Sequence, residues 1–377
     1  MTSKHNPSEQ LHVALVTPGF PPRIGGVEVH VEELAKGLAA QGHTVTVLAQ
    51  TNHGVSADAE PWEWPGVSVR RFKDVTRTNR FPIAPTMRAY LKQHAAEFDV
   101  IHAHSFHAWP ALMAARIAPK TFVFTPHYHG VGHTLAARAL HLAYDPIAST
   151  IFARANAVIC VSRIEAEKLT TDYPHARDNL LVIPNGIEME SIHGAVPFHV
   201  GCPVVLVAGR IEGYKQVGLV IDAMEHLAHD VELVVVGDGP ERSNLERKVS
   251  ASVSRHPIRF TGRIGQEDLR RWQATAAVTV CMSKEEAFGL VAAEAAASGS
   301  FVLASDIPAH REMSQLVGDG MALVPVDSSP ISIAAKLERV LTHPWERSTA
   351  PPFLDWSEVT RRTIDAYVGA PRSGSGR

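Results

Sequence analysis

The chain is poor in cysteine: Cys160, Cys202 and Cys281 are its only three in 377 residues, and no C-x-x-C spacing occurs. That excludes a disulfide framework and a zinc ribbon. All three sit in or beside apolar, strand-like runs, which reads as reduced core thiols in a cytoplasmic protein. No apolar run approaches the roughly 20 residues of a membrane span. The polar start, MTSKHNPSEQ, lacks a secretory hydrophobic core. A net charge of −3 gives no electrostatic footprint for a polyanion, so no nucleic-acid partner is expected. No G-x-G-x-x-G occurs: GDGPER (Gly237 to Arg242) comes closest, with Arg242 in the third glycine place, so a dinucleotide fingerprint is absent. No short-period repeat and no low-complexity segment is found.

What is present is alternation. LHVALVTPGF carries a strand (Val13 to Thr17) into the loop PPRIGGVEVH. A helix follows from about Val27 to Gln41, with Val27, Val31, Leu34 and Leu38 at helical spacing, and then the strand TVTVLAQ. Further strands are expected at Val67–Phe72, Val100–Ala103, Thr121–Thr125, Ala157–Val161 and Leu181–Ile183. A second series opens with PVVLVAGR, GLVIDAMEHLA, VELVVVGDG and PERSNLERKVSAS, and continues through IRFTGRI, a helix near Asp268–Ala276, VTVCM and FVLAS. Two βα series imply an α/β protein of two doubly wound, Rossmann-like domains facing a cleft. The expected boundaries are a flexible 1–10, an N-terminal domain 11–195, a C-terminal domain 196–355, an amphipathic helix 356–369 and a disordered tail 370–377.

The most informative stretch is EAFGLVAAEAAASG, Glu286 to Gly299. Glycine costs roughly 1 kcal/mol inside a helix, so Gly289 argues against one helix through both carboxylates. Glu286 then lies on a loop, the backbone N–H groups of Phe288, Gly289, Leu290 and Val291 open a helix, and Glu294 rides on it. A helix N-terminus with unpaired donors suits phosphate, and a neighbouring carboxylate suits sugar hydroxyls, so the stretch reads as a nucleotide-sugar site. Gly25 and Gly26 stand between a strand and a helix, where backbone can approach a ligand closely. Arg210 and Lys215 follow a strand end and could clamp a diphosphate, each charge-assisted hydrogen bond being worth roughly 1.5–3 kcal/mol. IHAHSFH (Ile101 to His107) and TPHYHGVGH (Thr125 to His133) are rich in histidine. Zinc is the sharp alternative there, but neither run is H-E-x-x-H and no carboxylate adjoins His127 or His129. No metal ligand is therefore assigned, and His127 is expected to bind substrate hydroxyls. The basic run Arg70 to Arg80 reads as a solvated face, with a phosphorylated acceptor or peripheral contact with the inner face of a membrane as alternatives.

Seven motifs in order make the chain resemble a retaining GT-B glycosyltransferase of family 4, from Val13 to about Val368. They are Gly-Gly-Val-Glu (Gly25 to Glu28), the strand-end His127, Val161-Ser162, Ile-Pro-Asn-Gly (Ile183 to Gly186), the pair Arg210 and Lys215, Gly-Asp-Gly-Pro (Gly237 to Pro240), and the glutamates Glu286 and Glu294. The resemblance implies that Glu294 holds the ribose and that Glu286, with the backbone after Phe288, binds the donor sugar. Arg210 and Lys215 would stabilise the diphosphate, Gly26 would approach phosphates or acceptor, and His127 would contact the donor sugar. Arg263 and Ile264 would lie near the base. Front-face attack, with the leaving phosphate taking the acceptor's proton, would retain configuration without metal or cofactor. The last helix would cross back onto the N-terminal domain.

Three positions depart from the family: Ala287 stands for Gly, Gln216 for Gly, and Ser300-Phe301 for a small residue plus Pro. The expected donor is a UDP-sugar, with GDP-mannose the runner-up. The expected acceptor is a saccharide, an aminocyclitol natural product or a glycolipid, engaged after Gly26, around Asn79 and around His129 to Leu140. An epimerase or hydrolase on the same fold, or a non-catalytic sugar-nucleotide binder, are the competing readings. Removing Glu294 or Lys215 is expected to cut turnover with little change in thermal unfolding.

Overall fold

A computed structural model of the chain describes residues 10–23, 25–51, 63–76, 83–106, 108–128, 135–252, 255–343 and 353–369, the side chains of 135–143 and 175 excepted. The ends of the chain, Asn79 and most of the His129–Leu140 segment's detail lie outside the described residues. Two compact units divide it: Met1–Asn185 with Trp356–Arg377, and Gly186–Asp355. The division falls after Asn185, whereas the sequence reading set it after residue 195.

The first unit is a parallel sheet of β1 (His12–Thr17), β2 (Thr44–Thr51), β3 (Val67–Lys73), β4 (Val100–His104), β5 (Thr121–Thr125), β6 (Ala157–Cys160) and β7 (Leu180–Val182). Their order is β3-β2-β1-β4-β5-β6-β7. Helices α1 (Gly26–Ala40), α2 (Pro85–His94), α3 (Trp109–Ile117), α4 (Leu135–Arg154) and α5 (Arg163–Asp172) connect them. Strands β4 and β5 are buried at every residue; the middle of β5 accordingly reads as a continuous apolar run, while β4 is buried in spite of His102 and His104. On α1, Val31, Leu34 and Leu38 are fully buried, each worth about 1.5–3 kcal/mol of burial. Val161 and Ser162 prove structural: Ser162 caps α5 by accepting from the Glu165 N–H at 3.0 Å.

The second unit begins with β8 (Gly186–Ile187) and α6 (Met189–His193). A parallel sheet follows, made of β9 (Val204–Ala208), β10 (Glu232–Val236), β11 (Ile258–Gly262), β12 (Val278–Cys281), β13 (Phe301–Ser305) and β14 (Met321–Val324). Their order is β11-β10-β9-β12-β13-β14. Helices α7 (Val217–Met224), α8 (Arg242–Ala251), α9 (Gln266–Thr275), α10 (Leu290–Ala297), α11 (Pro308–Val317) and α12 (Pro330–Thr342) cover it. The short strand β15 (Leu354–Asp355) pairs with β8. Two-residue strands carry no periodicity, and the sequence reading missed both. The last helix, α13 (Trp356–Gly369), belongs to the first unit and packs on α1. The close approach is made at Gly37, where a Cβ would sit 2.1 Å from Thr360 Oγ1.

Both sheets are doubly wound, and each reverses strand order once: between β1 and β4 in the first unit, and between β9 and β12 in the second. In open parallel sheets the carboxyl ends of the strands at such a reversal are where ligands bind.

Candidate active site

In the second unit the reversal gathers most of the residues singled out from sequence. Arg210 follows β9, and the segment from Ser283 to Glu286 follows β12. A hydrogen bond from the Lys284 N–H to the Tyr214 carbonyl, 2.8 Å, ties the two loops together. Lys215 thereby meets Glu286, 71 positions away, in a direct ion pair with both side chains one-fifth exposed. Ser283 donates to the same oxygen, Glu286 Oε1, at 2.8 Å. Among the described residues Glu286 Oε2 has no hydrogen-bond partner, which leaves it open to a hydroxyl.

Burial pushes the Glu286 carboxyl up, but the Lys215 charge and the hydrogen bonds from Lys215 and Ser283 outweigh it and hold the group below the ordinary carboxylate range. Burial likewise pulls the Lys215 ammonium down, and Glu286 more than restores it, so its value is raised. The pair is charged on both sides at neutral pH. Burial lifts the neighbouring Cys281 thiol to about 12, so it is an inert core group.

The αL backbone of Gly289, φ +90°, ends the loop and caps α10 with no side-chain cap, while Phe288 is buried and Leu290 and Val291 begin the helix. A Cβ at Gly289 would lie 3.4 Å from the His310 ring, so the loop rests against that histidine. His310 is fixed in turn by donating from Nδ1 to the Ser305 carbonyl at 2.9 Å. Burial lowers its pKa in spite of Glu286 nearby.

Glu294 is buried on α10, and neither of its oxygens is idle. Oε1 pairs with Arg270 Nη1 at 2.9 Å and Oε2 accepts from Gln273 Nε2 at 3.1 Å, both partners on α9. The Glu294–Arg270 partnership, the Ser283 contact and His310 were not found from sequence. The i, i+3 pairing of Arg270 with Gln273 on the buried face of α9 was the signal available.

Arg210 and Lys215 do not face each other as a bare cation pair: Arg210 Nη1 bonds Glu212 Oε1 at 2.8 Å. Gln216, which departs from the family's glycine, sits at φ +52° in the left-handed region, a conformation costing an L-residue roughly 1–2 kcal/mol. Gly237 packs so tightly on the loop after β9 that a Cβ would stand 1.9 Å from the Gly209 carbonyl oxygen. The Gly-Asp-Gly-Pro turn therefore holds the backbone from which Arg210 projects. Arg263 is exposed, with Nε 3.9 Å from Asp238 Oδ2. Ile264 is half-buried against the cluster of Val234, Val236 and Trp272.

In the first unit, Gly25 precedes α1 in extended conformation and Gly26 opens it; among the described residues, chain neighbours and the helix's own backbone aside, no atom lies within 4 Å of the place a Cβ would take. Glu28 of the same motif is buried against Gly19 and paired with Arg23 at 2.9 Å. His127 follows β5 with φ +48°, left-handed and strained for a histidine. It is 8% exposed. Asn185, of the Ile-Pro-Asn-Gly motif, accepts from His30 Nδ1–H at 2.7 Å. His30 and His104 join His127 in one buried group whose ligand atoms all lie within 4.8 Å of one another. The sequence reading sought ligands inside each histidine run, but this group draws one residue from each of three segments.

Comparison with known proteins settles the family. The pattern of Glycosyltransferase Family 4 matches residues 24–191, and that of Glycosyl transferases group 1 matches residues 202–343. The chain belongs to glycosyltransferase family 4. Among the relatives of this transferase is a D-inositol 3-phosphate glycosyltransferase of Xylanimonas cellulosilytica, 26% identical over 92% of each chain. Sucrose-phosphate synthase from Thermosynechococcus elongatus has the same fold, with a TM-score of 0.78 and 21% identity over 95% of this chain and 98% of that one. So does the Anabaena protein Alr3699/HepE in complex with UDP, with a TM-score of 0.71 and 18% identity over 95% of this chain and 100% of that one. The architecture of the family 4 transferase is thus GT-B. Among its described residues no helix is long and apolar enough to cross a membrane.

Proposed function

We propose that this family 4 enzyme transfers a hexosyl or N-acetylhexosaminyl group, with retention, from a UDP-sugar to a hydroxyl of a polyol, saccharide or lipid-linked saccharide. The observation that carries the reading is the arrangement at the strand reversal of the second unit: charged Lys215 and Glu286 side by side, next to the uncapped start of α10, with Glu294 on the same helix. Lys215, Arg210 and the α10 N–H groups receive the diphosphate and the negative charge that grows on it as the glycosidic bond breaks. Glu286 Oε2 accepts from a sugar hydroxyl, and Glu294 from the ribose. Arg263 and Ile264 lie beside the base. In the first unit, His127 bonds sugar hydroxyls, and the open space over Gly26 admits phosphate or acceptor.

Retention follows if the leaving phosphate itself takes the acceptor's proton, since no described carboxylate is assigned as base. The cations serve the diphosphate, so the transfer step needs neither cofactor nor metal. A UDP complex in a protein of the same fold supports the donor, and an inositol phosphate acceptor in a relative supports a polyol.

Calorimetry with UDP, GDP and ADP, without added metal, tests the donor. Selective UDP binding is expected; GDP selectivity would turn the assignment to a GDP-mannose donor. Incubation with UDP-sugars then separates transfer from the alternatives, because an epimerase or hydrolase releases isomer or free sugar without an acceptor. Binding with no transfer to any polyol or saccharide would leave a sugar-nucleotide binder.

A further inference from the structure

His104 ends β4 at the strand reversal of the first unit, is wholly buried, and among the described residues has no hydrogen-bond partner at either ring nitrogen. A neutral imidazole carries one donor and one acceptor, and leaving both unmet in the interior costs the full desolvation of each. Such a group calls for a ligand. Two other imidazoles converge on it. His30, from α1, is 3% exposed and His127, just past β5, is 8% exposed. The ring centroids of His30 and His104 are 5.3 Å apart, those of His30 and His127 5.0 Å, and those of His104 and His127 5.8 Å.

Three imidazoles on one tetrahedral zinc, bonded at about 2.0–2.1 Å, place their nitrogens about 3.4 Å apart and their ring centroids about 5 Å apart. The centroid spacings here match. The nitrogens lie within 4.8 Å, so closing on an ion takes small side-chain rotations. The surroundings also fit. Asn185 Oδ1 accepts from His30 Nδ1–H, which leaves the lone pair on Nε2, the arrangement that orients histidines at metal centres. His102, tilted by 34° against His104 with centroids 4.2 Å apart, is committed elsewhere: Nδ1 to the Tyr367 hydroxyl and Nε2 to Thr125 Oγ1, both at 2.8 Å. The Ser105 and Phe106 N–H groups bond the Thr125 and Pro126 carbonyls, which fixes the end of β4 against the end of β5.

We propose that His30, His104 and His127 form a three-imidazole site for a late first-row divalent cation, zinc foremost, with the fourth position left to water or an anion. Neutral imidazole suits zinc, copper, nickel and cobalt and is a poor match for magnesium or calcium. The ion would pin α1 to the ends of β4 and β5. This site is separate from the diphosphate chemistry assigned to Lys215 and Arg210 but draws on His127, so an ion there replaces the direct contact of that ring with sugar hydroxyls proposed above.

The test uses the full chain, stripped with chelator and titrated with Co2+ as a spectroscopic probe. One equivalent is expected to produce the visible bands of tetrahedral cobalt, and one equivalent of Zn2+ to bleach them. In calorimetry His104→Ala should weaken Zn2+ binding on the order of 100-fold. His229→Ala, which removes an exposed histidine paired with Glu338, should leave it unchanged. If His104→Ala does not fold, His30→Gln gives the same reading, and the wild-type cobalt spectrum decides without any variant. Octahedral cobalt only, or equal zinc affinity in wild type and His104→Ala, overturns the site.

Discussion

Arg270 Nη1 lies 2.9 Å from Glu294 Oε1, and the two side chains are only 6% and 12% exposed. The carboxylate proposed to hold the ribose is therefore already held by the protein, on one oxygen by Arg270 and on the other by Gln273. Each oxygen keeps a lone pair for a hydroxyl, while the side chain itself is fixed in direction.

Breaking this pair from one side leaves a charge buried without its partner. Arg270→Met is expected to lower unfolding free energy by about 3 kcal/mol, whereas Arg270→Met with Glu294→Met should recover much of that. Urea denaturation reads both. The double variant should remain inactive in transfer, because the ribose contact is gone. Equal stability losses in the single and double variants would mean that the pair contributes nothing as a pair.

The Lys215–Glu286 pair corrects an expectation drawn from sequence. Removing Lys215 should not leave unfolding unchanged, because Glu286 would remain unpaired in a largely buried place; Lys215→Ala is expected to cost about 3 kcal/mol as well as most of the turnover. Thermal unfolding beside a transfer assay at pH 7 checks both losses.

The same pair sets a pH window. Glu286 has its folded value below the ordinary 4.5, so its contribution is complete above 4.5 and is lost as pH falls through the lowered value. Lys215 has its folded value above 10.5, so its contribution is complete below 10.5 and is lost as pH rises through the raised value. Wild type should exceed Lys215→Met/Glu286→Met in pH-dependent stabilisation between these limits, and the difference should shrink at both ends. A difference that stays flat from pH 3 to 11 would contradict the pairing.

Gly237→Ala should be severe. The residue has φ +129°, and the added Cβ would stand 1.9 Å from the Gly209 carbonyl oxygen, a backbone atom that cannot rotate away. Strain of this kind costs roughly 1–3 kcal/mol each from conformation and from overpacking, so a loss of about 3 kcal/mol or more is expected. UDP affinity should fall too, since the displaced loop carries Arg210. Calorimetry on the folded fraction checks this.

Gly37→Ala meets Thr360 instead, with Cβ 2.1 Å from Oγ1 and 3.1 Å from the Thr360 Cβ. Alanine gains about 1 kcal/mol of helix propensity in α1, but overpacking against α13 costs about 1–3 kcal/mol. Net destabilisation is expected in the single variant, and relief in Gly37→Ala/Thr360→Ala. Melting temperatures of the three proteins decide the sign.

Much of the molecule was readable from local chemistry. Near-continuous apolar strands, helical spacing on α1 and the glycine at 289 each follow from neighbours in the chain, because backbone preference and burial act over a few residues. So the strand–loop–helix units and the segments bearing Lys215, Glu286 and Glu294 were legible by themselves. Tertiary structure alone decided the partners. The sheet order brings β9 beside β12, so Lys215 finds Glu286 across 71 positions, and α9 lies against α10, so Arg270 finds Glu294. In the first unit the order β1-β4-β5 collects His30, His104 and His127 from segments whose local spacing carries no ligand pattern. Local sequence sets which conformation a segment prefers; which distant charge or imidazole it meets depends on strand order and packing, and no spacing along the chain encodes that.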